Sequence, residues 1–197
     1  MEGFESLLRA PVASGGELPD VPDLKLLAIS TAEESLSDSI GQHVVLRPPS
    51  TRTMPVGAAM TLRIGADRTP LVLRLSTQAS RIERLVSLAQ QQNPDAATPD
   101  ATMIALVERL AHSLAEELRG RNLAVSAEPA TVTRGPSRRP VGSLDAEHGL
   151  ALEFEVPNDK VSLRVTLVVD ANRKGVLNLA AGPRRGSEPM VAIHRAI

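Results

Sequence analysis

The chain has 197 residues, with 22 Lys plus Arg against 23 Asp plus Glu, no Cys, Trp or Tyr, and only two Phe. Leu, Ile, Val and Phe make up about 27 % of the residues, above the roughly 20 % below which disorder is expected, so the chain is predicted to fold. The missing cysteines exclude disulfides, thiolate nucleophiles and cysteine-bound metals, and the missing aromatic side chains exclude stacking platforms for bases.

The first part of the chain is rich in Pro, Gly and Asp, and residues 1–27 are predicted to form a flexible arm. A short helix is expected next, with Ser30 or Thr31 as its N-cap and Gly41 at its end. We interpret residues 28–181 as a single domain and residues 182–197 as a C-terminal tail.

Residues 43–76 have the pattern of β-structure, beginning with a short strand over residues 43–47. Apolar residues alternate with polar ones over 60–64 and again over 71–75, and a loop that contains Gly65 joins the two runs. This pattern predicts a β-hairpin. Because arginines occupy the alternate positions, the second face of this hairpin is expected to lie in water.

Residues 77–120 have helical spacing and predict a hairpin of two helices. Thr77 is the expected cap of the first helix. Thr98, followed by Pro99 and Asp100, is the expected start of the second, which ends at Gly120. On both helices the apolar stripe is wider than packing against one neighbour requires, and the residues that widen it are Leu88, Ile104 and Ala111. The extra apolar surface favours a homodimer that associates through these helices.

Residues 121–181 return to a β pattern, with one strand candidate over 123–132 and a three-strand meander over 150–156, 161–169 and 176–181. In the meander Phe154 is expected to face inward, while Glu153 and Glu155 face outward and meet Arg164 across the ladder. The predicted fold class is therefore α+β: an antiparallel sheet, or two small sheets, with a helical hairpin packed on one face.

His112 lies opposite the apolar stripe of its helix, between Glu108 and Glu116, each four positions away. The run from Ala111 to Leu114 (Ala-His-Ser-Leu) resembles the start of the histidine-phosphotransfer motif, although Ala-Glu follows where that family usually has Lys-Gly. The resemblance implies a phosphoacceptor role for His112. The alternative interpretation is a solvated histidine in a row of charged residues.

Five arginines are candidates for a ligand site: Arg134, Arg138, Arg139, Arg184 and Arg185. Arginines beside Gly and Pro can offer two parallel donors to a phosphate. The first two also resemble, in their spacing, the arginine half of the signature of PilZ-type cyclic-di-GMP receptors, but the Asp-x-Ser-x-x-Gly half is missing. The pattern thus indicates either a site for a phosphorylated or anionic small ligand or a solvated loop.

Motifs for catalysis and metal binding are missing from the sequence. The four histidines are not spaced as metal ligands, and neither nucleotide-binding glycine loops nor a Gly-x-Ser-x-Gly motif occurs. We therefore predict no cofactor, no metal and no catalytic residue, and favour a protein that is not an enzyme, although an active site assembled from distant residues stays open.

Net charge and hydropathy indicate which partners and which cellular location to expect. The net charge near zero argues against a nucleic-acid partner, and no apolar run approaches the roughly 20 residues of a membrane span. With no signal peptide in the first residues and an arginine-rich composition typical of GC-rich bacterial genomes, we expect a cytoplasmic bacterial protein. The sequence as a whole favours an adaptor, assembly or regulatory protein that binds protein partners, itself included, through aliphatic surfaces.

Overall fold

A computed structural model describes residues 21–48, 50–135 and 149–169 of the protein. Its elements in chain order are α1 (Val21–Ile40), β1 (Val45–Arg47), β2 (Val56–Ile64), β3 (Thr69–Thr77), a 3-10 turn (Ala79–Arg81), α2 (Ile82–Gln92), α3 (Pro99–Gly120), β4 (Val125–Ala127), β5 (Thr131–Arg134), β6 (Gly149–Val156) and β7 (Val161–Val169).

The strands form one antiparallel sheet in the order β1-β6-β7-β3-β2-β4, and β5 also pairs with β2. The pairing of β3 with β7, from Leu71 opposite Val169 to Thr77 opposite Leu163, joins the two β-rich stretches of the sequence. The α+β prediction is confirmed, and of its two versions the single sheet is correct.

Alternate side chains of β2, β3, β6 and β7 form the apolar face of the sheet, on which the helices pack. Leu75, Val165 and Leu152 follow one another across three strands of this face, and Phe154 on β6 is fully buried among them. Phe154 is the one aromatic side chain among the described residues, so the rest of the core that they form is packed from Leu, Val, Ile, Met and Ala.

In the described ranges the helical layer holds three helices, since α1 packs against both α2 and α3. Leu88 and Ala111, which added apolar width to the predicted helical hairpin, are buried in this layer, while Ile104 is only partly buried against it. The side chains that widen the apolar stripes of α2 and α3 therefore pack within the same chain, and they no longer argue for a dimer.

Helix α1 begins earlier than predicted. It starts at Val21, so residues 21–27, assigned to the arm, form its first turns. Ser30 and Thr31 lie inside the helix rather than at its N-cap, and the Ser30 hydroxyl donates to the carbonyls of Leu26 and Leu27 within the preceding turn. Such a bond to the previous turn lets serine sit in a helix interior.

Of the other predicted helix ends, those at Gly41 and Thr98 are confirmed and the one at Thr77 is wrong. Gly41 ends α1 in the left-handed conformation (φ 71°), and Thr98 Oγ1 accepts from the amide of Ala101 at the start of α3. Thr77 is not a cap: it is the last residue of β3, where its buried hydroxyl donates to the carbonyl of Ser162. The strand pairing extends to Thr77, so α2 begins only at Ile82, after the 3-10 turn.

The second face of the sheet is partly covered. Glu153 and Arg164, expected to be exposed, are 4 % and 7 % exposed beneath a loop over residues 50–54, called here the 50–54 loop. Glu153 Oε2 accepts from the amide of Ser50 (2.7 Å) and from Arg164 Nη2 (3.2 Å), and the same Nη2 donates to the carbonyls of Ser50 and Arg52. The predicted pairing of Glu153 with Arg164 is confirmed, whereas Glu155 pairs with Arg47 instead. The predicted exposure of Glu153 and Arg164 is wrong, because both side chains bind the backbone of the 50–54 loop.

One predicted strand needs correction, and another lies outside the described residues. The single strand predicted over 123–132 is two short strands, β4 and β5, that pair with different parts of β2. The predicted third strand of the meander, 176–181, lies outside the described residues. Strand β7 already has a neighbour on each side, β6 and β3.

Candidate functional site: a polar groove between two helices

The groove between α1 and α3 is lined by six ionisable side chains of the described residues. It has a volume of about 270 Å³. Its lining consists of polar side chains from both helices: Thr31, Glu34, Ser35 and Asp38 from α1, and Arg109, His112, Ser113, Glu116 and Glu117 from α3.

The buried side of α1 combines large aliphatic residues with four small ones. Ala28, Ala32, Thr31 and Ser35 are all buried where α1 packs on its neighbours. Short side chains let two helices approach closely, so the next positions around the helix, Glu34 and Asp38, lie beside α3 and remain exposed.

The charges of the groove are only partly paired. Asp38 lies 3.8 Å from Arg109 across the groove, and Glu116 pairs with Arg119 one turn further along α3. Glu34 and Glu117 have no ion-pair partner among the described residues. Two exposed carboxylates at a groove rim can accept hydrogen bonds from arginine, lysine or hydroxyl donors of a partner.

Ser35 adds a second polar feature to the floor of the groove. Its residue is 4 % exposed, and its hydroxyl has no hydrogen-bond partner within the described part of the chain. A buried hydroxyl without a partner is costly, so a ligand or water that enters the groove would gain a hydrogen bond from it.

His112, the candidate phosphoacceptor, is exposed and lies in the lining of this groove. The sequence therefore pointed to one residue of the site but missed the contribution of α1. The available signal was the pair Glu34 and Asp38, spaced four apart beside the small residues of the same helix. The helix that carries His112 packs on β2 and β3 and against α1, and the phosphoacceptor role stays a prediction.

The arginine candidates do not form a described site. Arg134 ends β5 and makes an ion pair with Asp100, in the first turn of α3, which places its guanidinium at the end of the helical layer. The other four, Arg138, Arg139, Arg184 and Arg185, lie outside the described residues. The anionic-ligand prediction is therefore untested.

Among residues 21–48, 50–135 and 149–169, no cluster of His, Asp or Glu has the arrangement of a metal site. In the same ranges, no helix is both long and apolar enough to cross a bilayer.

The fold resembles that of bacterial chemotaxis proteins. No protein-family model matches the chain, and no curated protein matches its sequence. The solved CheX–CheY–BeF3–Mg²⁺ complex of Borrelia burgdorferi contains a chain that is 12 % identical, with a TM-score of 0.58 over 74 % of this protein and 96 % of that chain. CheX of Vibrio vulnificus is 7 % identical, with a TM-score of 0.59 over 78 % of this protein and 100 % of that chain.

A third solved structure, CheX of Desulfovibrio desulfuricans, is 8 % identical and has a TM-score of 0.56 over 75 % of this protein and 99 % of that chain. At such low identity the similarity establishes the shared fold and no residue of a site. Nearly the full length of each of these chains is matched, so the described part of this protein is a CheX-like α+β fold.

Proposed function

We propose that this protein is a regulatory protein that acts by binding another protein, and that a CheY-type receiver is its partner. The observation that carries the proposal is the CheX-like fold, which occurs in the Borrelia burgdorferi structure in complex with CheY. The predictions of an adaptor or regulatory role and of a cytoplasmic location belong to the same proposal.

The polar groove between α1 and α3 is the surface that we assign to this contact. Within the described part of the chain, its exposed rim carries Glu34 and Glu117 without ion pairs, and the Ser35 hydroxyl at its floor has no hydrogen-bond partner. Charged rims of this kind set the rate and specificity of protein association. The interface would then be polar in its rim, in contrast to the aliphatic surfaces that the sequence favoured.

The experiment is calorimetric titration of the full chain with CheY-type receivers from the same genome, each with and without BeF3⁻ and Mg²⁺. We expect one receiver to bind and the double variant Glu34→Lys/Glu117→Lys to weaken that binding by about tenfold, or roughly 1.4 kcal/mol. Glu108→Lys is the matched control, because Glu108 is exposed on the same helix but does not line the groove.

Two results would contradict the proposal at different levels. If no receiver binds in either state, the proposed partner is wrong. If a receiver binds the groove variant as tightly as the unaltered protein, the partner is right and the groove is not the contact surface.

Phosphotransfer at His112 is a second candidate, favoured by the exposure of this side chain in the groove. Incubation with a radiolabelled phosphoreceiver should then give acid-labile label on this chain, and His112→Ala should abolish it. Label that survives the substitution, or no label at all, would exclude this role.

Self-association also remains a proposal, although two of the three helix residues that suggested it, Leu88 and Ala111, are buried within one chain. Light scattering of the purified full chain at micromolar concentration distinguishes a dimer from a monomer.

A further inference from the structure

Strand β6 is only partly paired along its outer side. It pairs with β7 over its whole length, from Gly149 to Val156, but β1 covers only Glu153 to Glu155. Along residues 149–152, the backbone groups that point away from β7 have no strand partner among the described residues. In an antiparallel strand every second residue directs its N–H and C=O to that side.

The edge is open because β1 ends at a proline. Arg47, the last residue of β1, lies opposite Glu153, and the next position along the edge is Pro48. Proline has no N–H to donate to a ladder. The chain leaves the edge at this point, and two residues later Ser50 binds Glu153 through its amide and its hydroxyl.

An apolar groove lies beside this open edge. It has a volume of about 400 Å³ and is lined by Lys25 and Ile29 of α1, by Leu46, Arg47 and Pro48, and by Leu150, Ala151 and Leu152 of β6. Leu46 is 41 % exposed, and Leu26 on α1 is 66 % exposed; these are the large hydrophobic side chains that the described residues expose most.

The groove and the edge together have the features of a strand-addition site. Natural sheets usually protect an apolar edge with charges, a bulge or a covering segment. A peptide added as a strand would bond to those backbone groups of residues 149–152 that have no partner among the described residues, and its alternate side chains would enter the groove. The four open residues accommodate about 13 Å of extended chain.

The positive charges of Lys25 and Arg47 beside the groove favour an added strand that carries acidic residues. Lys25 is exposed and has no ion pair within the described ranges, and Arg47 is more than half exposed despite its contact with Glu155. Two copies of this chain joined edge to edge would bring these like charges together. A strand that carries carboxylates beside its apolar residues would neutralise them.

We propose that the open edge of β6 binds an extended segment of a partner protein that alternates apolar with acidic residues. The site is separate from the groove between α1 and α3 and shares no lining residue with it. The inference therefore stands whether or not a CheY-type receiver is the partner in that groove.

The test is fluorescence anisotropy of the full chain with three labelled peptides: one of alternating Val and Glu, the same peptide with Lys for Glu, and the first peptide with alternate backbone amides methylated. We expect the Val–Glu peptide to bind, the lysine peptide to bind about tenfold more weakly, and the methylated peptide not to bind. Lys25→Glu should weaken binding of the Val–Glu peptide by a similar factor.

Lys160→Glu is the matched control, since Lys160 is an exposed lysine in the turn after β6, at the other end of the strand. Its variant should bind the Val–Glu peptide as the unaltered protein does. Equal binding of the methylated peptide would rule out strand addition, and equal loss in both lysine variants would rule out the site.

Failure of the Val–Glu peptide to bind at millimolar concentration would overturn the proposal. Light scattering on the same sample then tests a second copy of this chain as the occupant, which a monomeric mass would exclude.

Discussion

The two faces of the sheet bury their side chains by different means. On the helical face Phe154 is buried among aliphatic side chains, whereas its neighbour on β6, Glu153, points to the other face and is buried in hydrogen bonds with Arg164 and the 50–54 loop. The comparison shows that one alternating strand can be buried on both sides when a loop supplies partners for the polar side.

The largest effect is expected on the helical face. Phe154→Ala removes the aromatic ring of a core packed from aliphatic side chains, and should lower the free energy of unfolding by about 3–5 kcal/mol, because the ring is fully buried and its cavity would stay partly open. Urea denaturation followed by circular dichroism measures the change. Leu26→Ala, at an exposed site of α1, should stay within about 0.5 kcal/mol; a loss below about 1 kcal/mol for Phe154→Ala would contradict the packing described.

The next largest effect is expected for the buried Glu153–Arg164 pair on the face of the sheet that the 50–54 loop covers. Glu153→Met alone should destabilise by about 3 kcal/mol, because it leaves the Arg164 guanidinium buried without its carboxylate. The double variant Glu153→Met/Arg164→Met should recover part of that loss, because it removes the unpaired buried charge but leaves the Ser50 amide and the Ser50 and Arg52 carbonyls without these partners.

The same denaturation experiment compares this pair with an exposed one. Arg47 and Glu155 pair on the surface at 3.1 Å, and Glu155→Gln should cost less than about 1 kcal/mol. If Glu153→Met costs as little as Glu155→Gln, then the 50–54 loop does not bury the pair in solution.

The smallest effect concerns a local interaction of the helical layer. Thr98→Ala removes the side-chain acceptor for the amide of Ala101 and should cost about 1 kcal/mol. Thr98→Ser keeps that acceptor and should stay within a few tenths of a kcal/mol. Equal stability of the alanine and serine variants would mean that the hydroxyl does not cap α3.

Features that depend on neighbours in the chain were predicted well. The hairpin of β2 and β3 follows from alternation and a glycine-containing turn, and the start of α3 follows from Thr98 and Pro99. The pairing of Glu153 with Arg164 also follows, because one short turn between β6 and β7 sets their register. The start of α1 was predicted less well, since proline near a helix start both interrupts and begins helices.

The candidate site was predicted only through His112. The carboxylate of Glu34 and the hydroxyl of Ser35 belong to a helix that is separated from α3 by more than fifty residues of sequence, and only packing brings the two helices together. The open edge of β6 was likewise not predictable, because it depends on where β1 stops pairing.

The sequence by itself determined the α+β class, the hairpins and the near absence of aromatic side chains, which leaves an aliphatic core. These properties follow from periodicity, turn residues and composition, all of which act over a few neighbouring positions. Only the tertiary structure decided that one sheet joins both β-rich stretches, that a loop buries the Glu153–Arg164 pair, and that α1 and α3 share a polar groove. Each of these depends on contacts between distant segments, and the free energy of such contacts comes from burial and complementarity that no local pattern records.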